Sequence, residues 1–139
     1  MDVRVLILHA DEEKVQSSAA ALQRALEQDG LRVDLMSPEA ASGSPVSAAP
    51  YGLVCVVTGY TGWWKPQIPV EMDSLIKKVM RLEGKKGGAF VRPGIFGSGK
   101  ALRVLMSHME RQGVIVEDFD TISREQEAVS IAKRLQRIL

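Results

Sequence analysis

The sequence predicts an α/β fold built on a parallel sheet. Short, nearly continuous apolar runs alternate along the chain with longer stretches in which apolar residues recur every three or four positions. Glycines stand where several of those stretches stop. Five strands alternating with four helices make the connections crossovers, and crossovers make the sheet parallel.

The first strand is Val3 to Leu8, whose run of aliphatics suits burial on both faces. Asp11 opens a helix in which Val15, Ala19, Leu22 and Leu26 form the apolar stripe, and Gly30 follows its last turn. Leu31 to Met36 alternates as a second strand. Residues 37–50, rich in serine, alanine and proline, form a loop with at most one turn, capped by Ser37 with Pro38 at its first position. Leu53 to Thr58 is a third strand, closed by Gly59.

Pro69 can start the second helix, whose face is Met72, Leu75, Ile76, Val79 and Met80, with Lys77, Lys78 and Arg81 on the same helix. A glycine-flanked turn over residues 84–88 precedes a fourth strand, Ala89 to Val91. Leu102, Leu105, Met106 and Met109 stripe the third helix, which Gly113 stops. Val114 to Val116 starts a fifth strand that reaches toward Phe119. Ser123 and Gln126 form a capping box for the last helix, striped by Val129, Ala132, Leu135 and Ile138 or Leu139. Val5, Ile7, Leu53, Val54, Val56 and Val91 are the central core residues on this reading.

Composition narrows the function. The chain has 139 residues, the size of one domain spanning 1–139, with 45% hydrophobic residues and one cysteine. A single cysteine excludes a disulfide scaffold and a multi-cysteine zinc site. No apolar run is long enough to span a membrane, and the first one, interrupted by Arg4, does not read as a signal peptide, so a cytoplasmic location is expected. Eighteen basic against 17 acidic residues leave +1, with no basic stripe of the kind nucleic-acid binders show. Cys55, mid-strand and far from activating charge, reads as a core thiol, and His108 as structural.

In a parallel sheet, ligands sit beyond the carboxyl ends of the strands. The loops to read are therefore His9–Lys14, Thr58–Ile68, Arg92–Lys100 and Glu117–Ser123. Four of the chain's seven aromatic residues, Tyr60, Trp63, Trp64 and Phe96, fall in two of them. Large rings on glycine-flanked loops suit the stacking of a flat ligand, or the anchoring of a protein partner. Gly94, Gly97 and Gly99 let backbone approach a ligand closely, and Ser98 can cap the helix that follows. The spacing Gly94-x-x-x-x-Gly99-Lys100 matches most of a nucleotide P-loop, but Ala101 stands where a magnesium-holding hydroxyl belongs. His9, at the end of the first strand, is a further candidate ligand contact.

The strand VRVLILH running into a helix, the segment YGLVCVVTGYTGWWKPQIP and the segment GKKGGAFVRPGIFGSGKAL together resemble flavodoxins of the short-chain type, over nearly the whole chain. KPQIP is similar to the proline-rich lead into the third helix of related quinone reductases. The resemblance implies a three-layer sandwich with the five-stranded parallel sheet in the order 2-1-3-4-5. It also implies FMN. Thr58, Gly59, Tyr60, Thr61, Gly62 and Trp63 would form one wall against the isoalloxazine, and Arg92, Pro93, Gly94, Phe96, Gly97 and Gly99 the other. The first loop, with His9, Ala10, Asp11 and Lys14, would face the phosphate.

That first loop departs from the family pattern, a hydroxyl- and glycine-rich S/T-x-T-G-N-T stretch. Here Asp11, Glu12 and Glu13 stand in its place, either repelling the phosphate or turned outward as a helix cap and dipole complement. Two readings follow. In the first, the chain binds FMN, weakened by the acidic loop, and acts as an electron carrier with a redox partner protein rather than as a catalyst with its own active-site residues. In the second, it has lost FMN and is a non-enzymatic interaction domain, whose aromatic rim can also carry self-association. Neither reading involves nucleic acid or membrane.

Overall fold

The computed structural model describes residues 3–62 and 64–139, so Trp63 lies outside the described residues. Five strands and four helices alternate: β1 (Arg4–His9), α1 (Glu13–Gln28), β2 (Arg32–Met36), β3 (Leu53–Thr58), α2 (Val70–Lys78), β4 (Lys86–Val91), α3 (Ser98–Arg111), β5 (Ile115–Thr121) and α4 (Glu125–Ile138). The strands form one parallel sheet in the order β2-β1-β3-β4-β5. Helices α1 and α4 pack on each other, and α2 packs on α3, which gives the three layers of the sandwich. Among the described residues no helix is long and apolar enough to cross a membrane.

The core follows from the strand sequences. Every residue of β3 is buried, and so is all of β1 after Arg4. Val5, Ile7, Leu53, Val54, Val56 and Val91 are all essentially inaccessible. Each such aliphatic contributes about 1.5–3 kcal/mol by leaving water. The expected α1 stripe, Val15, Ala19, Leu22 and Leu26, is buried to the last residue. At the β4–β5 seam the register shifts between Gly87 and Gly88, and β5 runs on to Thr121, farther than its apolar run suggested.

Several local expectations are corrected. The second helix stops at Lys78. Met80 leaves it because its backbone N–H donates to the Val46 carbonyl at 2.8 Å and its carbonyl accepts from the Ala48 N–H at 2.7 Å. Arg81 then turns with φ 65°. Met80 is thus half exposed, not part of a helix face. In α4 the buried stripe is Ala128, Ile131, Ala132 and Leu135, with Val129 outside it. Its cap is set one residue later than Ser123 and Gln126: the Glu127 carboxylate accepts the Arg124 N–H at 3.0 Å and also the Ser123 hydroxyl. The Ser123 hydroxyl, followed by the Arg124 amide, holds the Glu127 carboxyl below the ordinary carboxylate range. In the loop after β2, Ser37 does cap a single turn, its hydroxyl oxygen accepting the Ala40 N–H at 3.1 Å.

Candidate functional site

The carboxyl ends of β1, β3 and β4 open onto three loops. In the first, His9 is buried, with Nδ1 3.0 Å from the Ala10 carbonyl oxygen, and the Ala10 N–H donates to Val57. Helix α1 starts at Glu13, with Glu12 at its cap position and no side chain capping it, so Asp11 is not the cap. Asp11, Glu12, Glu13 and Lys14 are all exposed. Exposed as it is, Glu12 also approaches the second loop. Its Oε2 lies 3.1 Å from the point where a Cβ on Gly59 would stand. The carboxylate therefore leans over Gly59, between the first and second loops. A cavity of about 330 Å³ adjoins it, lined by Asp11, Glu12 and Glu71 together with Pro38, Pro69 and Met72. Among the described residues, no cationic side chain lines this cavity.

The second loop is closed on itself. Thr58 is buried and its hydroxyl donates to the Gly59 carbonyl at 2.9 Å. Thr61 and Gln67 exchange backbone hydrogen bonds, both at 2.9 Å, as an isolated antiparallel bridge. Gly62 has φ 86°, and a Cβ there would stand 3.0 Å from the Lys65 carbonyl oxygen. Trp64 projects into solvent at 70% exposure, and the Lys100 ammonium lies 5.6 Å from its ring centre.

Tyr60 ties this loop to the third. Its hydroxyl accepts the Gly94 N–H at 3.0 Å and donates to the Phe96 carbonyl at 2.7 Å, with Ser98 Oγ 3.1 Å away. The expected Ser98 cap is replaced by Gly97, whose left-handed backbone, φ 89°, lets the chain enter α3 while Ser98 turns to Tyr60. Arg92 points the other way. Its guanidinium donates to the Ser123 carbonyl at 3.1 Å and to Ser18 Oγ at 3.4 Å, joining the third loop to α1 and the β5–α4 connection. Pro93, Gly94, Ile95, Phe96 and Gly99 form the outer rim, with Ile95 at 91% and Phe96 at 67% exposure.

The singletons fall where the sequence placed them. Cys55 is buried, and burial pushes its thiol far up from the ordinary range. His108 Nδ1 lies 2.8 Å from Asp73 Oδ1. No group of three or more metal-ligating side chains exists among the described residues. Sequence reasoning did not find the lean of Glu12 over Gly59, the Tyr60 latch or the inward turn of Arg92. Each joins segments far apart in the chain, and no spacing signals that.

No family model matches the chain, and no curated protein matches its sequence. Solved structures do. The flavodoxin of Streptococcus pneumoniae TIGR4 superposes at TM-score 0.75 with 20% identity, covering 99% of this chain and 100% of that one. Oxidised flavodoxin 1 from Bacillus cereus gives 0.74 with 12% identity over 98% and 99%. The fold is flavodoxin-like. A Fusobacterium nucleatum flavodoxin bound to flavin mononucleotide also superposes, at 0.68 and 12% identity over 98% of both chains.

On this flavodoxin-like frame, the residues at the first loop do not fit a phosphate. Anion binding at a helix N-terminus needs free N–H groups and no competing negative charge. Residues 10–13 offer no hydroxyl and no glycine, and the Glu12 carboxylate, with no hydrogen bond or ion pair among the described residues, leans into that space. A carboxylate in that space repels a phosphate, by an amount that solvent screening reduces for an exposed group. The Tyr60 latch meanwhile draws the second and third loops together.

Proposed function

We propose that this flavodoxin-like chain is an interaction module of the cytoplasm that does not retain FMN and works through its exposed strand-end rim rather than through catalytic groups. The observation that carries this reading is the Glu12 carboxylate beside Gly59, on a first loop with neither hydroxyl nor glycine, the loop to which the family resemblance assigns the phosphate. The rim beside it keeps three large apolar side chains in water, Trp64, Ile95 and Phe96. Exposed apolar clusters of this kind mark contact sites.

The second reading, FMN binding with an electron-transfer role, draws support from the Fusobacterium flavodoxin bound to flavin mononucleotide and from the same aromatics. One experiment separates the two: the visible spectrum of protein purified without added cofactor, then an FMN titration followed by tryptophan emission. A colourless protein with emission unchanged to millimolar FMN supports the module. Bound flavin on purification, or saturable quenching at micromolar FMN, overturns it in favour of the carrier.

A further inference from the structure

The rim does not end at its aromatics. Lys100, Arg103, Ser107 and Arg111 follow at intervals of three and four and so share one stripe of α3. Lys100, at the head of the stripe, reaches the Trp64 ring, which makes the apolar rim and the stripe one surface. Lower down, Arg103, Val104, Ser107, His108 and Arg111 line an open groove of about 270 Å³. Arg103 and Arg111, about 12 Å apart along the helix axis, are exposed and make no ion pair or hydrogen bond among the described residues. Asp73, the carboxylate beside the groove, is already engaged by Lys77 at 3.0 Å and by His108. Glu110 is the helix's single carboxylate, against Lys100, Arg103 and Arg111. A chain of near-neutral net charge thus places Lys100, Arg103 and Arg111 on one helix stripe beside the exposed Trp64, Ile95 and Phe96.

We propose that this face, from Ile95 and Phe96 along the α3 stripe to Arg111, docks an acidic protein segment that carries apolar residues at one end. The inference rests on the interaction-module reading and names the partner chemistry. Apolar and aromatic side chains supply the buried contact, as interface cores do. The arginines supply orientation and steering toward carboxylates, to which their planar forks are matched.

The probe is a hexaglutamate peptide, with and without a Leu-Phe extension, titrated into isotope-labelled full-length protein at low salt. Amide shifts confined to the 95–111 segment and its Trp64 neighbourhood are expected, with affinity falling as salt rises. The extension should tighten binding, and Ile95→Ser should remove that gain alone. The double variant Arg103→Glu/Arg111→Glu, at exposed positions with no hydrogen bond or ion pair among the described residues, should weaken both peptides by at least about tenfold. Unchanged affinity in the double variant, or shifts spread over α1 and α4, overturns the proposal. So does a DNA duplex that binds this face more tightly than the peptides, or a dimer in sedimentation that shields it. Flavin quenching would remove the module reading without touching the peptide result. A colourless protein whose α3 face ignores both peptides would remove this inference alone.

Discussion

Tyr60→Phe deletes one oxygen and tests the site's geometry directly. That oxygen accepts from Gly94 at 3.0 Å and donates to the Phe96 carbonyl at 2.7 Å, so two good hydrogen bonds disappear together. A net intramolecular hydrogen bond contributes about 1 kcal/mol. Gly94 and Phe96 are exposed, and water replaces part of what is lost, which brings the expected cost to about 1–2 kcal/mol. With about 2.1 cal/mol/K of unfolding entropy per residue, the 139 residues unfold with about 0.3 kcal/mol/K, so Tm should fall by about 3–7 °C. Calorimetry measures the shift, and amide hydrogen exchange locates it: the Gly94 amide should exchange faster while amides of β3 do not. An unchanged Tm together with an unchanged Gly94 exchange rate would show that the latch does not hold the two loops in solution.

Replacing Asp11, Glu12 and Glu13 by Thr, Gly and Asn should raise FMN affinity by about tenfold at low salt, the full Coulomb value being discounted for exposed charge. The gain should shrink as salt rises and be absent for riboflavin, which lacks the phosphate; an equal gain for riboflavin would mean that charge was not the cause. Gly87→Ala would drive a Cβ into Val114 Cγ1 and to 3.0 Å from the Val54 carbonyl oxygen, so urea denaturation should show a loss of about 1–3 kcal/mol. The Tyr51 hydroxyl at 2.7 Å, and after it the Arg4 guanidinium at 2.9 Å, hold the Asp34 carboxyl below the ordinary carboxylate range. The folded chain therefore binds fewer protons there than the unfolded one, so this stabilisation is present above the ordinary carboxylate range and is lost as pH falls through the lowered value. Tyr51→Phe should move the Asp34 carboxyl titration, followed by NMR, to higher pH.

Periodicity carried the architecture because it is a property of neighbouring residues. The unbroken aliphatics of Leu53 to Val57 need cover on both faces, and the stripe from Val15 to Leu26 needs a sheet to lie on, so a parallel sheet between helix layers was already implied. The errors came where a partner distant in sequence outbid a local preference. Met80 fits the second helix's stripe but pairs with Val46 and Ala48, and Val129 fits the fourth helix's stripe while Ala128 takes the buried position.

At the rim the division is sharper. The sequence by itself determined that the glycines, aromatics and carboxylates lie at the strand ends, and that the first loop carries acids where a phosphate loop carries hydroxyls. Only the tertiary structure decided where those groups aim. Glu12 leans over Gly59, Tyr60 latches Gly94 to Phe96, and Arg92 turns to Ser18 and Ser123 because parallel pairing of β1, β3 and β4 brings their carboxyl ends side by side. A side chain's direction and its partner depend on which strands become neighbours, and that is settled by the packing of the whole sheet rather than by the residues on either side.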